Sequence, residues 1–206
     1  MTRAVIRLPI GSTARMTIAV SDLDGRLLGL YRMPDGTVFS ADVAATKARN
    51  VVWFSAVGVA NLSGVPARTA VTNRTISFGS QPMFPPGIDG SSAGPFFPLY
   101  EYDTANPCTQ GIGTGPPNTA NMSGIVFFPG SLPLYRKGVL VGGLGVSGDG
   151  VDQDDFVTAG AVDAACGAGG PCGIPDFQAA PNIRADQVVI ESVRLPYLKF
   201  PWNPTE

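Results

Sequence analysis

The chain has 206 residues and a mass of 21.4 kDa, with 44% hydrophobic and 15% charged residues, which gives it the apolar material for a core and excludes a disordered chain. Fourteen basic against sixteen acidic residues leave a net charge of −2, and no basic block is longer than a pair. Nucleic acid and anionic membrane surfaces are therefore poor partners. No apolar run is long enough to span a bilayer; the best, "VVWFSAVGVANL", is too short.

The residues after Met1, "TRAVIRLPIGS", do not read as a secretory signal. "RMTIAVSD" and "RLLGLYRM" are apolar runs joined through Leu23, Asp24 and Gly25, and an Asp-Gly pair between such runs predicts a hairpin. "SADVAATKARNVVWFSAV" follows as a helix, with Ser40 as N-cap and Asp42 in the first turn. Val43, Lys47, Val51 and Phe54 mark one face, and Ala44, Ala48 and Val52 the neighbouring one. These small residues suit close packing on a sheet.

From 63 to 123 the chain is dense in Gly and Pro and shows neither helical nor strand period. Its aromatics, Phe84, Phe96, Phe97, Tyr100 and Tyr102, predict an ordered, irregular insertion whose rings lie on the core or on a neighbouring subunit. "GIVFF", "SLPLYR" and "GVLVGGLGVS" then read as an antiparallel meander, and a second helix is expected from near Val151. Residues 167–206 form a C-terminal extension with one more strand. The whole, 1–206, reads as a single domain.

"VGGLGVSGDGVDQDDF" raises a chemical question, because Gly143, Gly145 and Gly148 carry the spacing of a dinucleotide-binding turn. The charges oppose that reading. No basic residue lies between Lys137 and Arg184, while Asp149, Asp152, Asp154 and Asp155 crowd the place a phosphate would take. A calcium loop is opposed by the missing closing Glu, so the acids read as helix capping on a solvated turn. The glycines say that a backbone, a helix or a flat ligand lies close against this strand.

There is no histidine, so imidazole is excluded as base, metal ligand or haem ligand. Cys166 and Cys172 bracket a short loop and are a disulfide candidate; Cys108 is left over or pairs with one of the other two. With low charge and N-x-[ST] sites at Asn61, Asn73 and Asn121, they point to an extracytoplasmic or secreted protein. No metal-ligand spacing and no Ser-His or Cys-His pair is present.

"FPGSLPLYRKGVLVGGLGVSGDGVDQDDFVTAGA" resembles the C-terminal signature of the GlcG/HbpS (DUF336) family of haem-binding or haem-degrading proteins. The matching positions are Gly130, Pro133, Gly138, Val141, Gly142, Gly143, Gly145, Val146, Ser147, Gly148, Gln153 and Asp154. A second block, "IAVSDLDGRLLGLYRMPDGTVFSADVAATKARNVVWFS", is similar to the family's first half through Asp22, Gly25, Leu27, Arg32, Met33, Ala45, Lys47, Ala48 and Arg49. The two blocks cover about half of the chain. The resemblance implies an α+β, profilin-like α/β/α fold, with an antiparallel sheet of about five strands flanked by helices. It also implies homo-oligomers and a haem or other tetrapyrrole ligand.

Three departures stand out: little precedes the first strand, the Gly/Pro-rich stretch is long, and no histidine is present. Iron would need Tyr31, Tyr135, Met33 or Cys108 as ligand. Gly142, Gly143, Gly145, Ser147, Lys47, Arg49, Tyr31 and Tyr135 are the candidate ligand-binding residues. A non-catalytic accessory domain of a larger secreted protein and an enzyme on a small carboxylate, using Asp22, Lys47 and Arg49, stay open as alternatives. No catalytic residue is assigned.

Overall fold

The computed structural model describes residues 12–56, 62–106, 123–166 and 177–198, the side chains of 163–166 excepted. The hairpin forms as expected from β1 (Met16–Ser21) and β2 (Leu27–Arg32). Asp22 makes its turn, its Oδ1 accepting the backbone N–H groups of Asp24 and Arg26 at 2.9 Å each. Helix α1 (Ser40–Ser55) follows; its N-cap is Phe39 rather than Ser40, whose hydroxyl bonds Thr37 instead of a helix amide.

β3 (Ser131–Arg136) and β4 (Val139–Gly148) form the second hairpin, turning through Lys137 (φ 51°) and Gly138 (φ 77°). Two successive positive φ values are what a tight two-residue hairpin loop needs, and Gly takes one without cost. The sheet order is β2-β1-β4-β3, antiparallel throughout. Four strands form it among the described residues, rather than about five. "GIVFF" is not a strand: Asn50 accepts from the Val126 N–H at 2.9 Å and Asn73 donates to its carbonyl at 2.6 Å. Side chains have taken the partners that a neighbouring strand would have supplied.

Alternation along β4 decides the layers. Gly143 and Gly145 face α1, while Leu144 and Val146 face the other way, into the main core with Met16 and Leu132. Helix α4 (Val151–Cys166) brings Val157 and Val162 to that second face. The molecule is thus α+β with helices on both faces of the sheet.

The stretch expected to be irregular carries α2 (Asn73–Gly79) and α3 (Phe97–Ala105). A Thr72/Thr75 capping box starts α2, a signal hidden by the absence of an apolar period. The end of the described chain packs on this stretch. Ala70 and Arg184 form a parallel bridge, and Thr72 and Thr75 hydroxyls donate to the carbonyls of Tyr197 and Pro196. β5 (Val189–Ile190) and β6 (Val193–Arg194) form a separate two-stranded hairpin there.

Candidate functional site

Of the three bodies the glycines admitted, the one against this face is a helix. A Cβ on Gly143 would lie 2.1 Å from the Ala48 carbonyl oxygen, and one on Gly145 would lie 2.1 Å from that of Ala44. Both obstacles are backbone, so neither can swing aside. α1 therefore seats on bare backbone, and Ser21 ties it down by donating to the Ala48 carbonyl at 3.1 Å. A Cβ on Gly142 would lie 2.3 Å from the Ser21 carbonyl oxygen, and Ser147 is buried.

Lys47 projects from α1 past Gly145 and is wholly buried. Its Nζ donates to the Val146 carbonyl at 2.7 Å and to Asp154 Oδ2 at 2.9 Å, and stands 4.9 Å from the centre of the Phe128 ring. A Cβ on Gly130 would come within 2.8 Å of that Nζ, and Gly130 has φ +113°, so a glycine is needed there on two counts. Burial lowers the Lys47 pKa, opposed by the Asp154 charge. Burial likewise pushes Asp154 up to about 6, opposed by Lys47. Asp154 Oδ1 is buried without a hydrogen bond among the described residues.

Next to this pair, Asp155 accepts from the Gly130 N–H at 2.9 Å and is fastened to Arg74 of α2, which also holds Asp152 at 2.9 Å. The acids at the start of α4 are thus not a solvated cap. Two of them, Asp154 and Asp155, are 2% and 0% exposed, because two cations from other elements meet them. A third buried set lies alongside: Asn73 donates to Asn50 Oδ1 at 3.0 Å and Ser131 donates to Asn73 Oδ1 at 2.7 Å. The sequence pattern contained no signal for Arg74, Asn50 or Asn73, since each partner lies far away along the chain.

The family model described as "Haem degrading protein HbpS-like" matches residues 3–163. The chain belongs to the HbpS-like family. Two solved structures are similar to it. A PduOC:heme complex is 22% identical, with 72% of this chain and 77% of that chain covered and a TM-score of 0.46. Klebsiella pneumoniae protein ORFY, a DUF336 protein, is 21% identical, with 73% and 74% covered and a TM-score of 0.46. No curated protein matches the chain.

Within this HbpS-like chain the sequence-predicted residues do not converge on one place. Arg49 reaches the β1–β2 turn, donating from Nε to the Gly25 carbonyl at 2.8 Å and also bonding Ser123. Lys47 turns the other way, toward Gly130 and α4, and Asp22 is occupied by its own turn. These three do not form the site that an enzyme on a small carboxylate would use. Tyr31 and Tyr135 stand on the two opposite edge strands of the sheet. Tyr135 is buried, which pushes its hydroxyl up to about 12, whereas Tyr31 is 62% exposed. Met33 Sδ accepts the Met16 N–H at 3.3 Å. Cys108 and Cys172 lie outside the described residues, as does the Cys166 side chain at the end of α4.

A haem does not fit beneath α1, where Gly143, Gly145 and Lys47 already touch helix backbone or a counter-charge. The β1–β2 hairpin leaves more room, at β2, every residue of which is exposed. There Tyr31 stands opposite Ile18 and Gly29 opposite Val20, so the four share one face. Nothing lies within 4 Å of the position a Gly29 Cβ would take.

Proposed function

We propose that this HbpS-like protein binds haem or another tetrapyrrole on the outer face of the β1–β2 hairpin, with Tyr31 as the iron ligand. The observation that carries this reading is the exposure of Tyr31, 62%, whereas Tyr135 and Met33, the other candidate ligands among the described residues, are buried or engaged. A phenolate is an established axial ligand for haem iron, and an aliphatic shelf suits the macrocycle. When bound, the iron supplies the redox chemistry. The chain's own part is to offer the phenol oxygen of Tyr31 and the exposed surface of β2 around Gly29, with Ile18 and Val20 half-buried against the core beside it. Family membership across residues 3–163 supports haem as the ligand class.

A hemin titration followed at the Soret band tests the reading. Saturable binding is expected, with the visible charge-transfer absorption of an iron phenolate. Tyr31→Phe should remove that absorption and weaken binding, whereas Tyr135→Phe should leave both in place. Failure of the wild-type protein to saturate would sink the proposal, and an unchanged spectrum in Tyr31→Phe would remove Tyr31 from it.

A further inference from the structure

The two edges of the sheet are finished differently. β3 is largely buried and its Tyr135 N–H donates to the Phe177 carbonyl at 3.0 Å, so the C-terminal segment covers that edge. β2, at the other edge, is exposed at every one of its six residues, "LLGLYR". It contains neither lysine nor proline, and its charge is confined to Arg32 at one end. Leu28, Leu30 and Tyr31 are 68%, 51% and 62% exposed. Edge strands of monomers carry devices against pairing, and this one has little beyond a single extra residue, Leu28, in its register with β1.

We infer that β2 pairs antiparallel with β2 of a second copy, about a twofold axis at Leu30, joining two four-stranded sheets into one of eight. Symmetry restricts the choice. A twofold perpendicular to a sheet makes one residue of the strand face its own copy, and residues that face each other then lie on the same side. Centring on Gly29 would set Arg26 against Arg32 and place the axis beside the irregular Leu28. Centring on Leu30 sets Tyr31 of each copy opposite Gly29 of the other. Gly29 has open space where a side chain would be, and an aromatic side chain across from an edge glycine is a favourable cross-strand pair. Arg32 then falls opposite Leu28, so its aliphatic stem meets a leucine and no like charges face. Arg26 of each copy comes to the Pro34–Asp35 end of the other, where Asp35 is exposed and shared with Arg15. Leu30 lies on the α1 side, opposite Ala19, so α1 of both copies flanks the same face of the joined sheet.

The pairing goes beyond the haem reading and does not depend on it, because it rests on the exposed edge of β2; it takes the space over Gly29 that a haem would use, so the two compete. The test is sedimentation equilibrium on the protein without hemin and with it. A dimer is expected without hemin, hemin should weaken it, and Leu30→Lys should weaken it at least ~10-fold while thermal unfolding, extrapolated to the monomer, stays close to wild type. Register is read by oxidation of single-cysteine variants in which Cys108, Cys166 and Cys172 are serine. Leu30→Cys should cross-link to its own copy faster than Leu28→Cys or Tyr31→Cys, and the double variant Gly29→Cys/Tyr31→Cys should also cross-link. A monomer at all concentrations, a dimer indifferent to Leu30→Lys, or fastest cross-linking at position 28 or 31 overturns the inference. Loss of hemin binding with the dimer intact would fail the haem reading alone.

Discussion

Gly145→Ala is the sharpest test of how α1 is held. The added Cβ would sit 2.1 Å from the Ala44 carbonyl oxygen and 2.6 Å from the Ala48 amide nitrogen, with Lys47 Cβ at 3.0 Å. Two of these are helix backbone, so the remedy is for α1 to rise by roughly 1 Å, opening the contacts of a close-packed interior. Ala44, Ala48 and Val51 beneath it are wholly buried, so the shift is felt along the helix. Overpacking of this kind costs about 3 kcal/mol. Removing a glycine restricts the unfolded chain and offsets that by at most about 1 kcal/mol. The net loss of about 2 kcal/mol lowers Tm by about 4–8 °C for a chain of this size. Thermal unfolding followed by circular dichroism measures it. If Gly145→Ala unfolds within about 1 °C of wild type, the claim that backbone closes this face is wrong.

Further expectations concern single sites. Gly160 is an exposed position of α4 with nothing within 4 Å of its Cβ direction, so Gly160→Ala should stabilise by about 1 kcal/mol in the same assay. Lys47→Met leaves Asp154 buried without its cation and should cost about 3–5 kcal/mol in denaturant unfolding. Asp154 is held near 6 in the fold against an ordinary 3.8, so the folded state binds the extra proton between those values. Its stabilising contribution is full below about 4 and lost as pH rises through about 6, a fall of up to about 3 kcal/mol that Asp154→Asn should abolish from the pH profile. Asn73, though it heads an N-x-[ST] sequence, is wholly buried with its amide donating to Asn50 and Val126, so peptide mass analysis after passage through a secretory pathway should find it without glycan.

What could be seen in advance followed from local pattern. The Asp-Gly and Lys-Gly turns, the apolar faces of α1 and the start of α4 are short-range signals, and all stand where the pattern puts them. The glycines of β4 announced a close neighbour correctly. They could not say that it was α1, because the Ala44 and Ala48 carbonyls lie far away in sequence. The same limit explains the acids of α4. Asp154 and Asp155 suit a helix N-terminus by charge alone, so the pattern had no need of Lys47 or Arg74, which complete them from 107 and 81 residues away. "GIVFF" failed for the opposite reason. Its composition favours a strand, but Asn50 and Asn73 satisfied its backbone first. Tyr31 and Tyr135 were equal candidates until the sheet order put them on different edges.

The Gly/Pro-rich stretch gains a different standing from these contacts. Read from sequence, it is an ordered, irregular insertion that lays its aromatics on the core or on a neighbouring subunit. In the fold, α2 carries two of the groups on which the core depends. Arg74 neutralises Asp155, which is wholly buried and also anchors the Gly130 amide. Asn73 fills the hydrogen-bonding capacity of Asn50 and Ser131, which are wholly buried as well. Deleting the stretch would leave a buried carboxylate without its Arg74 cation and the buried Ser131 hydroxyl without Asn73, a change that burial makes severe. The stretch is therefore part of what allows an acid pair to begin α4 inside the protein: Lys47 of α1 meets Asp154, and Arg74 of α2 meets Asp155.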